Sequence, residues 1–177
     1  MPSSKNLDIS RHHATADRVI YLRGWYLLAF AQIEFLLGEL ISISLVASGY
    51  DDLGDSLPHG APDRMLRAKR ILGRAGPMSR FASSFEPVFA KFERSIDDRN
   101  MIAHGYSELL ISNDGEAAVR FLKWQRDKVG RRQDLIKEVI VPVSMLEREA
   151  EEISEISETL IQAFYAIRGD SVPLDDR

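Results

Sequence analysis

Apolar positions recur at alternating steps of four and three through Phe85, Phe89, Phe92, Ile96 and Ala103. That spacing lays one stripe along a helix and turns it to a core. The predicted helix starts near Ser84, carries Pro87 in its first turn, and closes on Asp97-Asp98-Arg99-Asn100-Met101-Ile102-Ala103-His104-Gly105. A longer run, residues 17–47, is apolar around most of its circumference: Ile20, Trp25, Leu28, Phe30, Ile33, Leu36, Leu37, Leu40 and Ile43. A helix of that kind needs more than one neighbour, in a bundle or in a second subunit. Pro62 opens a short third helix at the position proline tolerates best. The period then changes. Residues 107–112, the turn Asn113-Asp114-Gly115 and residues 117–124 predict a β-hairpin, and residues 137–143 a third strand kept to an edge or an end by Pro142. Ser144 and Glu147 form a capping-box pattern, opening a last helix to about Arg168 with a seam at Ile153, Ile156, Leu160, Ala163 and Ile167. Its outer face is acidic through Glu149, Glu151, Glu152, Glu155 and Glu158, most simply a solvated face.

The predicted fold is mainly α: a helical bundle with a hairpin or three-stranded insertion at about residues 107–143. The expected organisation is a flexible tail over residues 1–15, a single domain over 16–168 and a flexible tail over 169–177. Composition narrows the chemistry. The chain has no cysteine, which removes disulfides, thiolate metal sites and a cysteine nucleophile together. Two adjacent histidines, His12 and His13, make a poor metal site without further ligands. No metal and no cofactor are expected. The first residues lack the apolar run of a secretory signal. Gln32, Glu34 and Glu39 interrupt the longest apolar stretch, arguing against a membrane span. The expected location is the cytoplasm. A net charge of −4 argues against general coating of nucleic acid but leaves room for a local basic site.

Two such basic sites stand out. Arg67, Arg70 and Arg74 share a face of the short helix, and residues 64–80 contain no acid. That face is either solvated, the common case, or a phosphate-binding rim. Arg126, Lys128, Arg131 and Arg132 form a basic loop beside Trp124. Stacking of a base on Trp124 ranks below packing of the ring over a small sheet.

The residue that does not fit its helix is Arg99, which falls on the core stripe. A buried guanidinium needs a partner. Asn100 and His104 lie four apart on the flank of that stripe, and Gly105 is suited to end the helix in the left-handed conformation. The bland reading makes His104-Gly105 a helix cap and pairs Arg99 with Glu34, Glu39 or Asp98. The sharper reading comes from a resemblance. Arg99-Asn100-Met101-Ile102-Ala103-His104 resembles the signature of the HEPN superfamily, an arginine, four to six residues and a histidine, often with a polar residue after the arginine. The order of helices over residues 17–168 is similar too, with the hairpin as an insertion.

The resemblance implies a metal-independent RNA endonuclease of toxin–antitoxin or phage-defence type, leaving 2′,3′-cyclic phosphate ends. It implies a homodimer in which two motifs meet, with Arg99 and His104 catalytic and Asn100 orienting. Some such toxins extend the motif by one residue and a tyrosine, which a nucleotidyltransferase antitoxin adenylylates; Tyr106 completes that pattern. Other members have lost catalysis and bind nucleotide or a protein partner, which is the alternative reading. The chemistry suits the residues. Imidazole titrates near neutrality and moves protons, and the arginine fork holds phosphate oxygens without losing its charge.

Overall fold

The computed structural model describes residues 4–125 and 135–171. Four α-helices and three strands follow in the order α1 (Ser4–Val46), α2 (Ala61–Gly73), α3 (Ala82–His104), β1 (Tyr106–Ile111), β2 (Ala117–Gln125), β3 (Leu135–Pro142) and α4 (Val143–Ser171). The fold is mainly helical, with a three-stranded antiparallel sheet of order β1-β2-β3 immediately before the last helix. Contacts cluster into two compact units, Met1–Leu28 with Ile96–Glu152 and Ala29–Ser95 with Ile153–Arg177. Helices α1, α3 and α4 each contribute a segment to both.

Several boundaries differ from those expected. α1 begins at Ser4, so the stretch 4–15 read as tail is helical. Nothing in it breaks a helix, and a polar stretch continuous with an apolar helix extends it at little cost. α3 begins at Ala82, directly after a 3-10 turn at Ser79–Phe81. α4 begins at Val143 and runs past Arg168 to Ser171. Ser144 therefore lies inside the first turn instead of flanking it, and the Glu147 carboxylate takes the guanidinium of Arg18. The capping box gives way to a tertiary ion pair. The basic loop at Arg126, Lys128, Arg131 and Arg132 lies outside the described residues.

The first unit holds the sheet. Val119 and Phe121 are fully buried on one face of β2, which alternation shares with Lys123. The hairpin turn is as its residues predict. Gly115 has φ +86°, Ser112 N–H reaches Glu116 O at 2.8 Å, and Ser112 Oγ accepts from Glu116 N–H at 3.0 Å. On α1, Val19, Leu22 and Tyr26 are buried while Ile20, Tyr21 and Leu28 are exposed. Trp25 is half-buried against Tyr21, with ring centroids 6.0 Å apart.

The second unit packs the rest of α1 through Phe30, Ile33, Leu36, Leu37 and Leu40. Phe30 meets Phe92 of α3 with ring centroids 5.6 Å apart. The buried line of α4 runs Leu146, Ala150, Ile153, Ser157, Leu160, Phe164 and Ile167, strictly alternating four and three. Ser157 and Phe164 thus replace Ile156 and Ala163 in the expected seam. A buried serine is tolerated because its Oγ donates to Gln32 Oε1 at 3.0 Å. α1 also holds a stretch, His12–Val46, long and apolar enough to cross a membrane, and half of its most apolar window is buried inside the protein.

Candidate functional site

The end of α3 lies in the first unit, where three other elements converge on it. α3 buries Phe85, Val88, Phe89 and Phe92 further back, and Met101 and Ile102 in its last turn. Between them Arg99 is half-buried, as its place on the stripe requires. Its Nη1 donates to Asn100 Oδ1 at 3.0 Å, and Arg99 has a further interaction besides. Asn100 is therefore turned to its arginine neighbour. The expected contact with His104 does not form: His104 is exposed, and it makes no hydrogen bond or ion pair among the described residues. The imidazole does not cap the helix.

The capping is done by Arg23 from α1. Its Nη2 donates to Ala103 O at 3.3 Å and Gly105 O at 3.4 Å, and its Nη1 to Ser107 Oγ at 3.2 Å. One guanidinium thus satisfies an orphan carbonyl of the helix end and ties it to β1. Gly105 is not left-handed, contrary to expectation; positive φ occurs at Gly49, Gly54 and Gly115. It is glycine because of crowding. Its N–H reaches Met101 O at 2.8 Å, and a Cβ there would stand 2.5 Å from that same oxygen and 3.4 Å from Leu122 O.

Lys123 of β2 leans on the same helix end, its Nζ 3.4 Å from Asn100 O. Across the ladder its direct partner is Lys137. Both lysines are half-buried. Tyr106, the first residue of β1, is 67% exposed, and Trp124 is 69% exposed, so the tryptophan does not cover core. Reading by motif missed Arg23, Lys123 and Lys137. The signal for Lys123 was its parity with Val119 and Phe121, which puts a cation on the covered face of the strand.

The arginine face of α2 belongs to the second unit and is mostly committed to a loop. Arg67 Nη1 donates to Gly54 O at 3.2 Å and Ser56 O at 3.4 Å. Arg74 pairs with Asp52, which pulls the Asp52 carboxyl below the usual carboxylate range and raises Arg74 further. Arg70 is exposed and makes no ion pair among the described residues. It lines, with Arg67, His59 and Asp63, a cavity of about 350 Å³.

Comparison of the chain with family models, with curated proteins and with solved structures returned no match.

Proposed function

We propose that this chain is a metal-independent RNA endonuclease of toxin–antitoxin or phage-defence type, HEPN-like, acting in the cytoplasm as a homodimer with a composite Arg99/His104 site. The observation that carries this reading is the state of His104: an exposed imidazole with no partner among the described residues, on a helix end that Arg23 already caps. A histidine with no structural task, one turn beyond a half-buried arginine, is available for proton transfer.

Helix geometry supports the composite site. Residues five apart on an α-helix are about 140° apart around its axis. One chain therefore cannot set Arg99 and His104 side by side on one phosphate, whereas a twofold axis supplies two of each group. In that site one neutral His104 takes the 2′-hydroxyl proton, and the 2′-oxygen attacks phosphorus. The P–O5′ bond breaks, and the second His104, protonated, gives its proton to O5′. The products are a 2′,3′-cyclic phosphate and a 5′-hydroxyl. Arg99 stabilises the charge that develops on the phosphorane, and Asn100 holds Arg99 by its Oδ1. Tyr106 is exposed enough to be adenylylated by an antitoxin, and Arg70 is the member of the α2 face most open to RNA.

Unmodified RNA incubated in chelator with wild type, His104→Ala and Arg99→Ala tests the reading. Cleavage by wild type to cyclic-phosphate ends, slowed about a hundredfold or more in either variant, supports it. Equal cleavage by all three identifies a contaminant. No cleavage by wild type on varied RNAs transfers the reading to an inactive module that binds nucleotide or a protein partner. One observation favours that second reading: in the second unit a cavity of about 280 Å³ is lined by Phe35, Leu36, Ile161, Phe164 and Tyr165, with Phe35 64% and Tyr165 65% exposed.

A further inference from the structure

Alternation places Lys123 and Lys137 on the face of the sheet that buries Val119 and Phe121. There they stand directly opposite one another, just as Val119 stands opposite Val141 and Phe121 opposite Val139. Like charges facing each other across a ladder destabilise it, and half-burial weakens the screening that would relieve them. Elsewhere the same sheet neutralises its cations. On the other face Arg120 is bracketed by Glu108 and Glu138. Lys123 and Lys137 have no such carboxylate: among the described residues Lys137 makes no hydrogen bond or ion pair, and Lys123 makes only its long contact to Asn100 O, 3.4 Å.

We infer that Lys123 and Lys137 form an anion site that holds a backbone phosphate of single-stranded RNA beside the one attacked at His104. The identity of the ligand rests on the ribonuclease reading; the site itself rests on two ammonium groups that face each other across the ladder and meet no carboxylate among the described residues. Two ammonium groups with three donors each suit a phosphodiester, whose oxygens point several ways, and they accept it without a fixed fork. The contact of Lys123 with the Asn100 carbonyl fixes where this phosphate lies, at the exit of α3. The lysine pair positions substrate and takes no part in proton transfer.

The test uses the full chain and a labelled single-stranded RNA carrying 2′-O-methyl groups throughout, which binds but cannot be cleaved. Its Kd is measured across a salt series for wild type, for Lys123→Gln with Lys137→Gln, for Lys123→Arg with Lys137→Arg, and for Arg120→Gln. The paired glutamines should weaken binding about tenfold or more at low salt and flatten the log–log salt slope by roughly 1.4, the value for two phosphate contacts on a single strand. Their melting temperature should not fall, since a repulsion is removed. The paired arginines should bind like wild type, and Arg120→Gln should change neither affinity nor slope. Unchanged affinity and slope in the paired glutamines would overturn the site. So would wild type that binds no RNA, or that holds a mononucleotide as tightly as the oligomer. Lysine-dependent binding by a protein that never cleaves unmodified RNA would sustain this site and sink the ribonuclease reading. Cleavage with lysine-independent binding would do the reverse.

Discussion

Gly105 and Arg23 decide whether the end of α3 can exist as it does. A methyl group at Gly105 would meet a backbone oxygen at 2.5 Å, which no side-chain rotation relieves. Gly105→Ala should cost roughly 1–3 kcal/mol, the range for forced overpacking, read as a shift in denaturation midpoint. An unchanged midpoint would show that β1 can leave the helix by another path. Arg23→Met keeps the apolar stem but strips the donors from two carbonyls and a hydroxyl. A charged hydrogen-bond donor contributes about 1.5–3 kcal/mol, discounted here because the group is only half-buried. Roughly 1–2 kcal/mol should be lost, with faster amide exchange confined to the α3 exit and the start of β1. His104→Ala is the contrast. Loss of an exposed side chain without partners among the described residues should change stability by no more than about 0.5 kcal/mol while removing the proton transfer. Loss of stability in place of activity would restore the helix-cap role.

At the scale of elements, α2 and the loop before it are held by arginines whose chemistry is readily mistaken for a binding face. Asp52 and Arg74 form the exposed end of that clasp. The folded carboxyl lies below its ordinary value because Arg74 hydrogen-bonds its charged form. A depressed carboxyl contributes stability above the ordinary carboxylate pKa of about 3.9, and that contribution is lost as pH falls through the folded value. The loop at residues 50–58 should therefore lose amide protection, taken relative to intrinsic exchange at each pH, on acidification below about pH 4. Asp52→Asn should show that loss already at neutral pH and lack the acid step. A step that persists in Asp52→Asn would assign it to another carboxylate. Tyr50, 2% exposed, is the other anchor: its hydroxyl accepts from Met78 N–H at 3.2 Å, and a Cβ on Gly76 would lie 2.6 Å from that oxygen.

For the whole molecule, the outstanding feature is the apolar surface that α1 leaves uncovered. In the first unit Ile20, Tyr21 and Leu28 of α1 are each more than half exposed, and in the second unit Phe35 and Val46 of the same helix are. Exposed apolar side chains on a helix are what a partner helix covers. The homodimer in the proposed function predicts that sedimentation equilibrium at micromolar concentration finds twice the chain mass, and that Leu28→Glu shifts it toward the monomer. A wild-type monomer would remove the composite site. If the site is shared, mixing Arg99→Ala with His104→Ala chains should recover a small part of the cleavage that each has lost, because the mixed dimer regains one arginine beside one of the two histidines the reaction uses.

Local pattern and local chemistry were enough for the helical stripe ending at Arg99, the hairpin with its Asn113-Asp114-Gly115 turn, a helix with Pro62 in its first turn, one residue after its start at Ala61, and the oddity of Arg99 itself. These follow from periodicity, from the backbone freedom of glycine and the cost of burying charge, all properties of neighbours in the chain. Tertiary structure decided the rest. Whether His104 caps or stays open depends on Arg23, some eighty residues away in sequence. Glu147 exchanges a local capping box for Arg18, 129 residues distant. Lys123 meets Lys137 only through the strand register. Each of these turns on groups brought together by packing, where desolvation makes a single partner decisive. No spacing within one segment encodes that choice.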